Sequence, residues 1–100
     1  MLNQNYENKV SIVTRLLKHW QAGEVAEQTW LSNPCGARFD QLLEMHACLR
    51  TLFPYDRDLD YSWVTTNNRT FDGRSPLDVM LNEPHGIAHV LHYLRCAMQR

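Results

Sequence analysis

The stretch SPLDVMLNEPHGIAHVLHYLRCAM, residues 75–98, carries the features that decide the fold. Ser75 followed by Pro76 is a helix start: the hydroxyl can accept from a free amide of the first turn, and proline at the first helical position has no N–H to lose. Asp78 stands where a short version of the capping box acts. Leu77, Met80 and Leu81 form an inward face until Glu83-Pro84 breaks the helix. Beyond the break, Ile87, Val90, Leu91, Leu94 and Met98 recur at helical spacing from about Gly86 to Met98. These are two successive helices, each with one apolar face.

The same reading extends toward the amino terminus. Tyr6, Val10, Val13, Leu17 and Trp20, widened by Leu16, make an amphipathic first helix that Gly23 is expected to end. A short helix follows over Glu24 to Leu31, with Glu24 and Glu27 in its first turn. Asn33-Pro34 and Cys35-Gly36 break the chain. A third helix runs from Ala37 or Arg38 to Leu52, with Phe39, Leu42, Leu43, His46, Leu49 and Phe53 on one face and Pro54 stopping it. His46 reads as a hydrogen-bonded core or boundary histidine.

Asp56, Asp58 and Asp60 crowd the start of a helix over Asp56 to Val64, where Leu59 and Trp63 are expected to face the core. The DxDxD run lacks the central Gly and distal Glu of a calcium loop. Thr65 to Gly73 is the longest irregular stretch, with turn chemistry at Asn67-Asn68 and Asp72-Gly73 and Phe71 as its pin. Gly73 is the residue that permits a positive φ. No window shows sustained period-two alternation, so the prediction is an all-α single domain of five or six helices.

The chain has 100 residues, 44% of them hydrophobic, and a net charge of -1 from ten Lys+Arg and eleven Asp+Glu. That size and balance suit one self-sufficient core. Near-neutrality gives no electrostatic hold on nucleic acid or anionic lipid. Lys9, Arg15 and Lys18 on the first helix are the only basic cluster that supports DNA binding. No apolar run approaches the roughly 20 residues of a membrane span. MLNQNYENKV lacks the basic-then-apolar pattern of a secretory leader, so the cytoplasm is the expected location. Cys35, Cys48 and Cys96 are an odd, dispersed set of three with no CxxC, which reads as reduced thiols.

His85, His89, His92 and Cys96 form a row along the last helix, opposite its apolar stripe. Four residues in one straight row cannot close a tetrahedron on one ion, so neither a metal nor any other cofactor is assigned. No P-loop, HExxH, GxSxG or GxGxxG occurs, and no catalytic residue is assigned.

The run LLEMHACLRTLFP, then Trp63, then NNRTFDGRSPLDVML, then HVLHYL resembles the toxin-binding domain of the Xre/MbcA/ParS antitoxins. The matching positions are Leu49, Arg50, Leu52, Phe53, Pro54, Trp63, Asn67, Phe71, Gly73, Ser75, Pro76, Leu77, Met80, Leu81, Val90, Tyr93 and Leu94. Trp63, Gly73, Ser75 and Pro76 are the structural part of the motif. The resemblance implies a type II antitoxin that sterically neutralises a cognate toxin, often a RES-domain enzyme that attacks NAD, and that self-associates. It implies a toxin-binding region over 37–100 and an amino-terminal region over 1–36 in which a helix-turn-helix is degenerate or absent, since Pro34 and Gly36 fall where a recognition helix would lie. Repression of its own operon is the alternative function, and an orphaned helical dimer without a toxin is another. The dimer seam is expected around Trp20. Family members often end in a basic, Trp-containing tail; here the chain ends LRCAMQR, without Trp, and Leu91-His92 stand where basic residues are common. The toxin-binding residues this implies are Arg69, Phe71, Arg74, Tyr93, Met98, Gln99 and Arg100.

Overall fold

In a computed structural model, residues 4–32 and 35–99 are described, with side chains from residue 8 onward. The Tyr6 side chain, the expected break at Asn33-Pro34 and the tail residue Arg100 lie outside the described residues. The helices are α1 (Gln4–His19), α2 (Glu24–Leu31), α3 (Gly36–Leu52), α4 (Arg57–Ser62), α5 (Pro76–Asn82) and α6 (Gly86–Met98). Two 3₁₀ turns, Trp63–Thr65 and Arg69–Phe71, lie between α4 and α5. There is no β-strand among the described residues, so the all-α expectation holds.

α3 is the axis of the bundle, packed mainly on α6 and also on α1, while α5 folds against α6. Its position explains a departure from the expected face. Met45 and Cys48 are buried along with Phe39, Leu42 and Leu49, whereas Leu43, His46 and Phe53 are only half-buried. A helix with neighbours on two sides needs apolar residues around more of its circumference than one stripe. Burial also pushes the Cys48 thiol upward, away from reactivity.

One core cluster joins Val13 and Leu17 of α1, and Trp20 just beyond its end, to Leu91 and Leu94 of α6. Trp20 is completely buried, so it cannot form the dimer seam expected of it; the stripe on α1 is occupied by the chain's own core.

The α1–α2 corner differs from expectation. α1 ends before Gly23, in a reversal where the Ala22 amide donates to the Leu17 carbonyl and the Gln21 amide to the Lys18 carbonyl. The left-handed position is Gln21, at φ 53°, while Gly23, at φ 92°, precedes α2 as its N-cap.

α4 begins as expected, with the Leu59 amide donating to Asp56 Oδ1 at 3.0 Å. Trp63 packs against the core as expected, but Leu59 does not. Leu59 is exposed, Asp60 and Val64 are buried, and Trp63 is half-buried. His19 stacks on Tyr61, with ring centroids 4.8 Å apart, and this contact ties α4 to α1. Asp60 is fully enclosed, neither carboxylate oxygen has a hydrogen-bond partner, and Arg50 Nε lies 4.0 Å away. His46 is half-buried, a boundary residue as expected, but its Nδ1 is buried without a hydrogen-bond partner.

Burial pushes the Asp60 carboxyl up despite the opposing pull of His46, Arg50 and Arg57. A native state that holds the proton more tightly than the unfolded chain loses stability as pH rises through this window. Asp60→Asn is therefore expected to match the parent chain in acid, where Asp60 is protonated in both states, and to exceed it at neutral pH. Urea unfolding at about pH 2.5 and about pH 7 checks the sign. An Asn variant less stable than the parent at pH 7 would show that the surrounding cations outweigh burial.

Candidate functional site

The irregular segment between α4 and α5 closes on itself. Asn68 Oδ1 accepts from the Thr70 amide at 2.9 Å, and the Asn68 carbonyl accepts from the amides of Phe71 and Gly73, each at 3.0 Å. The Asn68 amide donates to the Arg74 carbonyl at 3.0 Å, which makes an isolated antiparallel bridge. Reversing the chain this tightly requires two left-handed residues, Asp72 at φ 58° and Gly73 at φ 82°. The expectation for Gly73 thus holds, and its requirement is conformational: a Cβ there would meet nothing within 4 Å.

This closure points Phe71 inward, where it is 4% exposed. Its ring meets Tyr93 at 5.5 Å, His89 at 5.4 Å and Trp63 at 6.4 Å between centroids, each edge to face. Trp63 and Tyr93 stack at 6.1 Å with nearly parallel planes. Such pairs contribute about 0.5–1.5 kcal/mol each beyond the area they bury. The quartet fastens the loop to α6.

Arg74 locks the other side of the loop. Its Nε donates to Asp78 Oδ2 at 3.1 Å and its Nη1 to Glu83 Oε2 at 2.9 Å. Glu83 Oε1 lies 3.2 Å from His89 Nδ1, so one chain of polar contacts runs from α5 through Arg74 and Glu83 to α6. The bond from Arg74, with help from Asn82, holds the Asp78 carboxyl below its usual range. Asp78 therefore serves Arg74, while the helix start is capped by Ser75, whose Oγ accepts from the Asp78 amide at 3.0 Å.

Further along α6, Arg95 grips Glu44 of α3, with Nη2 donating to Oε1 at 2.7 Å. That bond holds the Glu44 carboxyl below its usual range. Met98, expected in the apolar stripe, is 42% exposed because the helix has run past the core by its last turn. With Gln99, Ala47, Cys48 and Thr51 it lines a groove of about 390 Å³ between α3 and α6.

The predicted residues thus fall into two groups. Arg69, Phe71, Arg74 and Tyr93 belong to the loop and the quartet beneath it; Arg69 is exposed, while Phe71 is buried. Met98 and Gln99 stand more than one helical turn beyond Tyr93, beside the groove. The sequence reading did not find Glu83, His89 or Glu44 as partners. Only Asp78, four residues after Arg74, carried a local signal.

In the histidine row, His85 and His89 are exposed, and His92 Nε2 lies 3.6 Å from Cys96 Sγ. No group of three or more His, Cys, Asp or Glu side chains that could hold a metal occurs among the described residues. Nor is any helix there long and apolar enough to cross a membrane.

No curated protein and no solved structure matches the chain. A family model does: residues 48–95 match the antitoxin Xre/MbcA/ParS C-terminal toxin-binding domain. That span runs from the last turn of α3 through the closed loop and α5 to Arg95, and so contains the whole aromatic quartet. Through residues 48–95, just under half of its length, the chain is similar to the C-terminal toxin-binding domain of the Xre/MbcA/ParS antitoxins.

Proposed function

We propose that the chain neutralises a cognate toxin by steric cover, using the closed loop around Arg69, the end of α6 at Met98 and Gln99, and the following residue Arg100. The observation that carries this reading is the loop itself. It lies within the family-matched segment and is held rigid by buried Phe71 and by Arg74, a pre-organised platform that gives up little entropy on binding. In this reading Phe71, Arg74 and Tyr93 shape the platform, while Arg69 and the tail touch the partner. The toxin is of the RES-domain, NAD-degrading class, as the sequence resemblance implies; the antitoxin acts in the cytoplasm as a homodimer and performs no catalysis of its own.

The repressor alternative draws less support. Lys9 is paired with Asp40 at 2.7 Å and Lys18 with Glu27 at 3.1 Å, so two of the three basic residues on α1 already face carboxylates. Tight specific DNA binding by this chain alone is not part of the proposal.

The test is co-expression with the protein encoded beside it. Arg69→Ala combined with removal of residues 98–100 leaves the Arg95–Glu44 contact in place and is expected to weaken toxin binding by at least about tenfold. Circular dichroism should stay unchanged, and toxin-dependent loss of NAD should return. Wild-type affinity and full protection in that variant would exclude this surface.

A further inference from the structure

We propose that His92 and Cys96 are one half of a zinc site that a second copy of this chain completes. The two side chains stand one turn apart on α6, both exposed, with Nε2 and Sγ 3.6 Å apart. A tetrahedral zinc with Zn–N near 2.0–2.1 Å and Zn–S near 2.3 Å sets its nitrogen and sulfur ligands about 3.6 Å apart. The pair is thus already at the ligand spacing, and an ion would take the place of the hydrogen bond between them.

The surroundings separate this pair from the rest of the row. His89 is engaged with Glu83 and, edge to face, with Phe71. Arg95, the neighbouring cation, is held by Glu44, which compensates its charge. Because no third ligand from the described part of the chain joins the pair, two positions of the tetrahedron stay open to an outside donor. A two-fold axis beside α6 would supply the same imidazole and the same thiolate from a second copy. The resulting two-His, two-Cys set is a common structural zinc site. Ala88, one turn before His92 and exposed, presents only a methyl group toward an approaching helix. Binding releases one proton from each thiol to solvent, two per zinc, with no change of oxidation state.

The experiment uses the full chain, stripped of metal and kept under a phosphine reductant so that no disulfide can form. Zinc is added at micromolar protein, and mass is followed by sedimentation. The expected result is a shift from 11.8 kDa to twice that mass, with one zinc for every two chains. Cobalt in place of zinc should give the intense absorption of a tetrahedral thiolate site. His92→Ala and Cys96→Ser should each abolish the shift, while His85→Ala and Cys35→Ser retain it. Since all four residues are exposed, these variants should fold as the parent does. The proposal is overturned by any of three results: no zinc-dependent change of mass, a one-to-one complex, or a dimer that survives His92→Ala.

Discussion

Gly86→Ala is expected to destabilise the chain by about 3 kcal/mol or more, the upper range for forcing extra atoms into a packed interior. A Cβ at this position would lie 2.0 Å from the Val79 carbonyl oxygen and 2.7 Å from Met80 Cα. Both are backbone atoms of α5, so no side chain can rotate away to make room. The glycine is buried at the first position of α6, directly after the Glu83-Pro84 break, where the two helices approach closely. Relief would require α5 to move from α6, and the Arg74–Glu83–His89 contacts would move with it. Urea unfolding of the variant measures the loss. A value within about 0.5 kcal/mol of the parent, the range of an ordinary surface change, would show that the corner opens freely.

Phe71→Ala should cost about 3–5 kcal/mol, the usual loss for a buried phenylalanine. It should also abolish partner binding at temperatures where the variant remains helical. The ring is the point where the loop, the 3₁₀ turn bearing Trp63 and α6 meet; without it Trp63 and Tyr93 keep each other but lose the loop. Near-ultraviolet circular dichroism and thermal unfolding test the two effects separately. Phe71→Leu keeps most of the volume and should lose much less stability. If the alanine variant binds the toxin as tightly as the parent, the loop does not form the platform.

Helix starts and stops were legible wherever local chemistry dictates them. Glu24–Leu31 and Gly86–Met98 match the reading, and Ser75-Pro76 opens α5 as its side chains require. The loop was legible as irregular, with Gly73 and Phe71 in their observed roles. Facing was less legible. In α4, six residues are too few for a period to distinguish Leu59 from Asp60, and tertiary packing buries the carboxylate instead. Met98 follows the stripe faithfully but outruns the core. Gln21 occupies the position that glycine usually takes because the hydrogen bonds of the α1 reversal end there, two residues before Gly23. As for the site, the family pattern located the loop and α6. It could not show that Arg74 is held by Glu83, nine residues away, since such a pairing follows from the fold of the corner alone.

The local engagement of Arg74 has a kinetic consequence for the proposed partner encounter. Its charge is matched by Asp78 and Glu83, as that of Arg95 is by Glu44, and the chain as a whole is near neutral at -1. Little field then extends from this face to guide an approaching protein. Association would proceed at the rate of unsteered protein pairs, about 10⁵–10⁶ M⁻¹s⁻¹, with little dependence on ionic strength. Protection of the cell would then be governed by how long each complex lasts, and selection would act on the dissociation rate.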